Sequence, residues 1–223
     1  MSLILNIDTA TETAEVNIAE DGIVLQSSSN FLQKDHAGFL QTAIQQLLQS
    51  ASISLPDINA IAVTAGPGSY TGIRVGMASA KGLCYALKKP LIAINTLEVL
   101  AVTAKQQDNS KGGLLFCPMI DARRMEVFTA IYNDQLKAIL DPCAMILGSN
   151  SFLDILNKDK IIFLGSGAAK WKKMCSHPNA SFTDVSDLIG AMSNLSYSYF
   201  LQNRFSNLAY SQPFYLKEFQ DNI

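Results

Sequence analysis

The segment with the clearest chemical potential is residues 66–76, which read GPGSYTGIRVG. It follows a short apolar run at 61–65 that predicts a buried strand, and it leads into a predicted helix that Ser69 can cap. A glycine-rich turn between a strand and a helix can bind phosphate, because free N–H groups and the helix dipole favour an anion. It can also be a tight corner for close packing. The segment lacks the Gly-Lys-Ser/Thr ending of a P-loop, so packing is the favoured interpretation.

The helix predicted after this turn carries two rows of small residues at a spacing of four. The rows are Gly72, Gly76 and Ala80, and Ala78, Gly82 and Ala86. A glycine inside a helix costs about 1 kcal/mol relative to alanine, so several glycines in one helix imply a packing requirement. Small faces also let helices approach closely. One row is therefore expected to pack on the neighbouring strand, and the other is expected to meet a partner.

The histidines and cysteines form no recognisable metal or nucleophile motif. His36 and His177 are isolated, and the four cysteines include no Cys-x-x-Cys pair. Position 40 is Leu40, so His36 has no second ligand one helical turn away. A metal site is therefore disfavoured, and buried reduced thiols are favoured. Proteolysis is disfavoured as well, because neither histidine accompanies a Gly-x-Ser-x-Gly or HExxH motif.

Composition limits the classes of function. Charged residues make up only 16% of the 223 residues, against about a quarter in most proteins, which suggests a surface that a partner covers. The net charge of -2 gives no reason to expect strong nucleic-acid binding by this chain alone. An acid at position 8 argues against a signal peptide, and no apolar run reaches membrane-spanning length. We expect a cytoplasmic protein without membrane contact.

The predicted elements occur twice in one order, strand-strand-strand-helix-strand-helix. The first series has strands at 3–8, 14–20, 23–28 and 58–65 and helices at 36–51, capped by Asp35, and up to 87; a strand at 91–95 and a helix from 97 follow. The second has strands at 114–121, 125–132, 135–140, 161–164 and 181–182 and helices at 151–157, 168–175 and 188–203. Each series opens with a strand that ends in Ile-Asp. This order predicts a duplicated α/β architecture rather than a Rossmann sheet, with domains at 1–106, completed by 188–223, and at 113–187.

Four segments carry a resemblance to a known family. They are IDTAT at 7–11, Asp35-His36, the glycine-rich turn with AKGL at 80–83, and MIDARRMEVF at 119–128. Their order and spacing resemble the TsaB (YeaZ) family, within the actin-like ATPase superfamily of duplicated ribonuclease H-like folds. The resemblance implies a non-catalytic subunit in the biosynthesis of threonylcarbamoyladenosine beside the anticodon of tRNA.

The same resemblance locates a vestigial nucleotide cleft. It would involve Asp8, Thr9, Asp121, Arg123, Gly165 and Gly167. Ala10 stands where the actin-like kinases carry a hairpin glycine, and its methyl group disfavours a phosphate there. No cofactor is therefore expected, with ATP used by partner subunits and a weak residual affinity left open. The alternative is a small ATPase or kinase that uses Asp8.

The resemblance also names the partners. They would be a paralogous catalytic subunit of the TsaD type and a P-loop ATPase of the TsaE type, with tRNA reached only through the complex and a homodimer as the alternative for the isolated chain. The expected docking surface lies on the two helices that follow Asp35 and Gly68. Its candidate residues are His36, Phe39, Leu40, Ala43, Leu47, Gly72, Arg74, Gly76 and Ala80.

Overall fold

Contacts within the chain define two compact units. The computed structural model describes residues 1–31, 36–108, 112–185 and 188–217. The first unit comprises residues 1–96 and 187–214, and the second comprises residues 97–186 and 215–223. The first boundary between the units therefore lies between residues 96 and 97, before the polar stretch at 106–113. After Phe214 the chain belongs to the second unit again.

The first unit is a five-stranded mixed sheet with the strand order β3-β2-β1-β4-β5. Its elements are β1 (Leu3–Asp8), β2 (Ala14–Glu20), β3 (Ile23–Asn30), α1 (His36–Ala51), a 3-10 turn (Leu55–Asp57), β4 (Ala60–Gly66), α2 (Tyr70–Leu87) and β5 (Leu91–Asn95). β1, β4 and β5 pair in parallel, whereas β2 pairs antiparallel with both of its neighbours, β1 and β3. All seven residues of β4 are buried, which explains its continuous apolar sequence, because helices cover parallel strands on both faces.

Buried polar side chains fix the C-terminal helix of this unit. Asn6 Nδ2 donates to Asn17 Oδ1 at 2.9 Å, and Ser193 Oγ donates to the same oxygen at 2.8 Å. Ser193 lies on the last helix, which packs on the first three strands. Because an unpaired buried amide is costly, these bonds hold the helix in one position on the sheet.

The second unit repeats this pattern, with the strand order β10-β9-β6-β7-β8. The remaining elements of the chain are α3 (Thr96–Gln107), β6 (Leu114–Asp121), β7 (Glu126–Tyr132), β8 (Ala138–Ile146), α4 (Leu153–Leu156), β9 (Lys160–Leu164), α5 (Ala168–Lys172), β10 (Ala180–Thr183) and, in the first unit, α6 (Leu188–Leu201). Trp171 anchors the core of the second unit between the rings of Phe152 and Phe163. Two sheets with the same strand topology thus follow each other along the chain.

The strand β8 is the predicted element that the structure displaces most. The sequence places it at 135–140, whereas it runs over Ala138–Ile146 and includes Pro142. Proline usually ends a strand because it has no N–H to donate, but β8 is an edge strand, where a missing donor is tolerated. Asp35, predicted to cap α1, lies outside the described residues.

Candidate functional site

The glycine-rich turn before α2 is filled by the hairpin that follows β1. Thr9 Oγ1 donates to the carbonyl of Gly72 at 2.7 Å, and the Ser69 N–H donates to the carbonyl of Ala10 at 2.7 Å. Thr9 is completely buried. The backbone of Thr9 and Ala10 therefore occupies the space that a bound phosphate would need beside the turn.

Three glycines make this close approach feasible. A Cβ atom on Gly68, Gly72 or Gly76 would lie under 3.0 Å from an atom of Thr9 or Ala10, a separation that real Cβ atoms essentially never show. The row that begins at Gly72 therefore packs inside the first unit, on the hairpin and on the side chains of Val63 and Ile7, and is not exposed to a partner.

Two N–H groups at the start of α2 have partners as well. Ser69 is the N-cap, as predicted, and its hydroxyl accepts the N–H of Gly72 at 3.3 Å. The Ile73 N–H donates to the Ser69 carbonyl at 2.9 Å. These two donors are satisfied without an anion.

Asp8 is buried at the base of the same hairpin. Its Oδ1 accepts the hydroxyl of Thr64 at 2.8 Å and the N–H of Ala10 at 3.0 Å. Asp8 thus joins the end of β1 to β4 and sets the shape of the hairpin. Its predicted part in a nucleotide cleft stays a prediction.

The second aspartate, Asp121, is held by a lysine. Lys170 Nζ lies 2.6 Å from Asp121 Oδ1, and the same oxygen accepts the N–H of Arg123. Desolvation raises the pKa of Asp121, but the hydrogen bonds from Lys170 and Arg123 and the charge of Lys170 together lower it. Arg123 itself is exposed, with φ at 70°.

The packing around Gly165 and Gly167 requires glycine at both positions. Gly165 has φ at 88°, and a Cβ atom there would lie 2.5 Å from the carbonyl oxygen of Met119. The Gly167 N–H donates to the same carbonyl at 3.0 Å. Both glycines therefore pack the start of α5 against the end of β6, whatever part they have in binding a nucleotide.

The pair of Asp121 and Lys170 predicts a small pH-dependent contribution to stability. Because the pKa of Asp121 is lower in the folded chain, the stabilisation is present above the unfolded value and is lost as the pH falls. We expect Asp121→Asn to cost about 0.5 kcal/mol near neutral pH, since the carboxylate is 43% exposed and solvent screens the pair. Urea unfolding of both proteins at about pH 7 and about pH 3 would measure this. A difference that does not shrink at the lower pH would contradict it.

Four of the nine predicted docking residues are buried in the core of the first unit. Leu40, Ala43 and Leu47 on α1 point into the hydrophobic core, as does Ala80 on α2. An apolar or small face fits a core and a docking surface equally well, and the sequence does not tell the two apart. These four are therefore core residues rather than exposed positions, and the docking surface itself stays a prediction.

The other predicted docking residues have mixed positions. Gly72 and Gly76 are buried against the hairpin, and Phe39 is half-buried on the core. Arg74 is exposed, with its guanidinium over the ring of Tyr70. The side chain of His36 lies outside the described residues.

The exposed faces of α1 and α2 lie beside each other and carry few charges. The second row of small residues, which begins at Ala78, is exposed along its whole length. On α1 the exposed residues include Gln41, whose amide donates to Ser79 Oγ on α2 at 3.1 Å. A groove of about 660 Å³ lies between α1 and the segment that follows it, and Leu83 of α2 borders it. It is lined by Gln41, Ile44, Gln45, Leu48, Gln49, Ser52, Ile53, Ser54, Leu55, Asp57 and Leu83.

This exposed row is the one of the two small rows that remains available to a partner. A Cβ atom on Gly82 would meet nothing within 4 Å among the described residues, so no contact in that part of the chain requires a glycine there. Because a glycine inside a helix is costly, the position favours a contact with another molecule.

The described residues contain neither a metal-binding cluster nor a membrane-spanning helix. Within them, no group of three or more His, Cys, Asp or Glu side chains is placed to hold a metal ion. In the same part of the chain, no helix is long and apolar enough to cross a membrane.

Comparisons with known proteins agree with this fold. A family model described as TsaD, tRNA N6-adenosine threonylcarbamoyltransferase, matches residues 22–214. The tRNA threonylcarbamoyladenosine biosynthesis protein TsaB of Bacillus subtilis (strain 168) is 32% identical over 176 residues, which cover 77% of this chain and 74% of that protein. The chain belongs to the TsaB family. This membership supports a role in tRNA threonylcarbamoyladenosine biosynthesis.

A solved structure extends the match beyond sequence. YeaZ from Pseudomonas aeruginosa superimposes with a TM-score of 0.79 at 25% identity, over 97% of this TsaB-family chain and 100% of that chain. The predicted duplicated actin-like fold is confirmed by this match together with the two equivalent sheets.

The transferases that match this chain align with it over a smaller share of their own length. The tRNA N6-adenosine threonylcarbamoyltransferase of Rickettsia canadensis (strain McKiel) is 34% identical over 124 residues, which cover 51% of this chain and 36% of that protein. This TsaB-family member therefore aligns with about a third of a transferase.

Proposed function

We propose that this chain is a non-catalytic subunit that binds a paralogous tRNA N6-adenosine threonylcarbamoyltransferase and positions it for threonylcarbamoyl transfer to tRNA. A P-loop ATPase would join the pair. The observation that carries the proposal is the different environment of the two small rows on α2. The row that begins at Gly72 packs on the hairpin of the same chain, whereas the row that contains Gly82 is exposed.

The exposed row suits a helix as its partner. Small side chains let two helix axes approach more closely than about 8–10 Å, so that backbone and side chains of both helices come into contact. A transferase with the same ancestral fold would present helices equivalent to α1 and α2, and the two pairs could pack as a four-helix layer. The same face would serve self-association of the chain when the transferase is absent.

The chemistry of the α1 face agrees with such a layer. α1 contains no Asp, Glu, Lys or Arg, and its exposed positions include Gln41, Gln45 and Gln49. Removing neutral amides from water costs less than removing charges, and amides can bond across an interface. The neighbouring groove would receive a side chain from the partner.

An ATPase of its own is the less favoured alternative. Asp8 is engaged with Thr64 and Ala10, and the hairpin backbone stands beside the glycine-rich turn where a phosphate would bind. Calorimetry of the isolated chain with magnesium and ATP tests this alternative, and turnover at micromolar affinity would replace the proposal.

The docking surface predicts the effect of one substitution. Gly82→Arg places a long charged side chain on the exposed row without touching the core, because nothing lies within 4 Å of a Cβ atom there. We expect it to weaken the complex with the transferase by at least about 100-fold, since a buried unpaired charge costs several kcal/mol. Gel filtration and calorimetry with the purified transferase would measure the loss.

Gly148→Arg is the matched control. Gly148 belongs to the second unit and also has no described atom within 4 Å of a Cβ atom, so the same charge is added to a different unit. Normal binding by the control and lost binding by Gly82→Arg would support the proposal. An intact complex with Gly82→Arg would place the docking surface elsewhere.

A further inference from the structure

We propose that the first unit carries a contact site for single-stranded RNA, formed by Tyr85, Lys88, Lys89 and Tyr210, which we call the tyrosine–lysine surface. The inference rests on the tRNA-directed role proposed above, and it adds a direct contact to a role that the sequence assigned to the complex alone.

Two tyrosines of this surface are almost fully exposed. Tyr85 is 80% exposed at the end of α2, and Tyr210 is 84% exposed in the segment after α6. A tyrosine ring in water gains nothing from folding and leaves apolar area uncovered. Two such rings in one region therefore call for a ligand that stacks on them.

Hydrogen bonds of Lys81 bring the two tyrosines into one region. Lys81 Nζ donates to the carbonyls of Ala209 and Ser211, at 3.4 and 2.8 Å, and these residues flank Tyr210. Tyr85 follows Lys81 by four residues, so the two lie one above the other on the same face of α2.

A shallow hollow of about 560 Å³ joins Tyr85 to the two lysines. Tyr85, Lys88 and Lys89 line it together with Cys84, Ala86 and Leu208. Tyr210 does not line the hollow, but it follows Leu208 by two residues in the segment that Lys81 holds on α2.

Hydrogen bonds of Asn207 define the turn that carries Tyr210. Asn207 Oδ1 accepts the N–H groups of Ala209 and Tyr210, at 3.0 and 3.2 Å, and the Asn207 carbonyl accepts the hydroxyl of Ser211. A ring held on an ordered backbone loses little conformational freedom on binding, which favours its use as a contact.

The charge of the surface is positive although the chain is acidic overall. Neither Lys88 nor Lys89 makes an ion pair within the described part of the chain. Asp57 responds to one of them: hydrogen bonds from Ser54 lower its pKa most, and the charge of Lys89 lowers it further. Two adjacent lysines beside Tyr85 thus place positive charge on this surface, although the net charge of the chain is -2.

Aromatic rings beside lysines match the chemistry of unpaired nucleotides. Unstacked bases lie on tyrosine rings, and lysines bind the adjoining phosphates. A duplex keeps its bases inside and offers the rings nothing to stack on. The surface therefore favours a single-stranded loop, which a tRNA presents at its anticodon.

Fluorescence anisotropy of the full chain with a labelled single-stranded RNA tests the inference directly. We expect binding that is tighter for the single strand than for a duplex of the same length. Tyr85→Leu and Tyr210→Leu should each weaken it about tenfold, whereas Tyr85→Phe should keep it, because the ring and not the hydroxyl stacks. Lys88→Gln with Lys89→Gln should reduce the dependence of log K on log salt by about 1.

The control and the contrary outcomes separate this inference from the docking proposal. Lys172→Gln with Lys173→Gln removes the same charge in the second unit and should leave RNA binding unchanged. No binding, equal binding of the duplex, unchanged binding by the leucine variants, or equal competition by free ATP would overturn the inference. The assay uses the chain alone, so failure of docking to the transferase would not imitate any of these results.

Discussion

Gly72→Ala is expected to destabilise the first unit by about 3 kcal/mol or more, the largest effect of any single methyl group on α2. The added Cβ atom would lie under 3.0 Å from the carbonyl oxygen of Thr9, which is backbone and cannot rotate away. The hairpin would have to leave the turn, and the bond from Thr9 Oγ1 to the Gly72 carbonyl would be lost. Urea unfolding followed by far-ultraviolet circular dichroism would measure the change.

Gly82→Ala on the same helix supplies the control with the opposite sign. Its Cβ atom meets nothing within 4 Å, so the helix gains the usual propensity of alanine, about 1 kcal/mol. Destabilisation by both substitutions would mean that glycine is needed along the whole helix. A mild effect of Gly72→Ala would mean that the hairpin does not fill the turn in solution.

The difference between the two glycine rows decides which substitution can test the docking surface. An arginine at Gly76 would prevent binding by disrupting the fold, because a Cβ atom there already approaches Thr9 too closely. An arginine at Gly82 tests the surface alone. Proper folding of any docking variant should therefore be established before its binding is interpreted.

Trp171→Ala is expected to cost the second unit about 3–5 kcal/mol. The indole is 1% exposed, and its ring lies 5.5 Å from that of Phe152 and 6.2 Å from that of Phe163. Alanine would leave a cavity that these rings can fill only in part. Thermal unfolding by circular dichroism should show the loss as an early transition that belongs to the second unit.

Trp171→Phe should be far milder, at less than about 1.5 kcal/mol. Trp171 Nε1 is buried without a hydrogen-bond partner among the described residues, so phenylalanine removes an unsatisfied donor along with some volume. A phenylalanine variant as unstable as the alanine variant would show that the indole N–H has a partner in solution.

Local signals in the sequence were sufficient for most of the secondary structure. Apolar and polar residues alternate along β2, Asp21-Gly22 is a turn signal, and α1 carries an apolar stripe. Each of these patterns predicts an element that the structure contains. These elements depend on interactions between residues close in the chain. β8 was misplaced because the tolerance of Pro142 depends on the strand being at an edge, and the pairing order decides that.

The sequence was also sufficient to identify the family and to favour packing over phosphate binding at the glycine-rich turn. The absence of a lysine after the turn and the alanine at position 10 are facts of composition and spacing. They predict a turn that does not bind a nucleotide, and a helix with more small residues than its own sheet can use.

The residues that pack into that turn, and the face of α2 that stays exposed, depend on contacts between segments that are distant in the sequence. The partner of Gly72 is Thr9, 63 residues away, and the cover over α2 includes the turn at Asn207. Periodicity gives the angle between two faces of a helix but not the direction of the core, because that direction depends on how distant segments pack. For this reason the sequence predicted two small faces, and the fold assigned the one with Gly76 to the interior and the one with Gly82 to the surface.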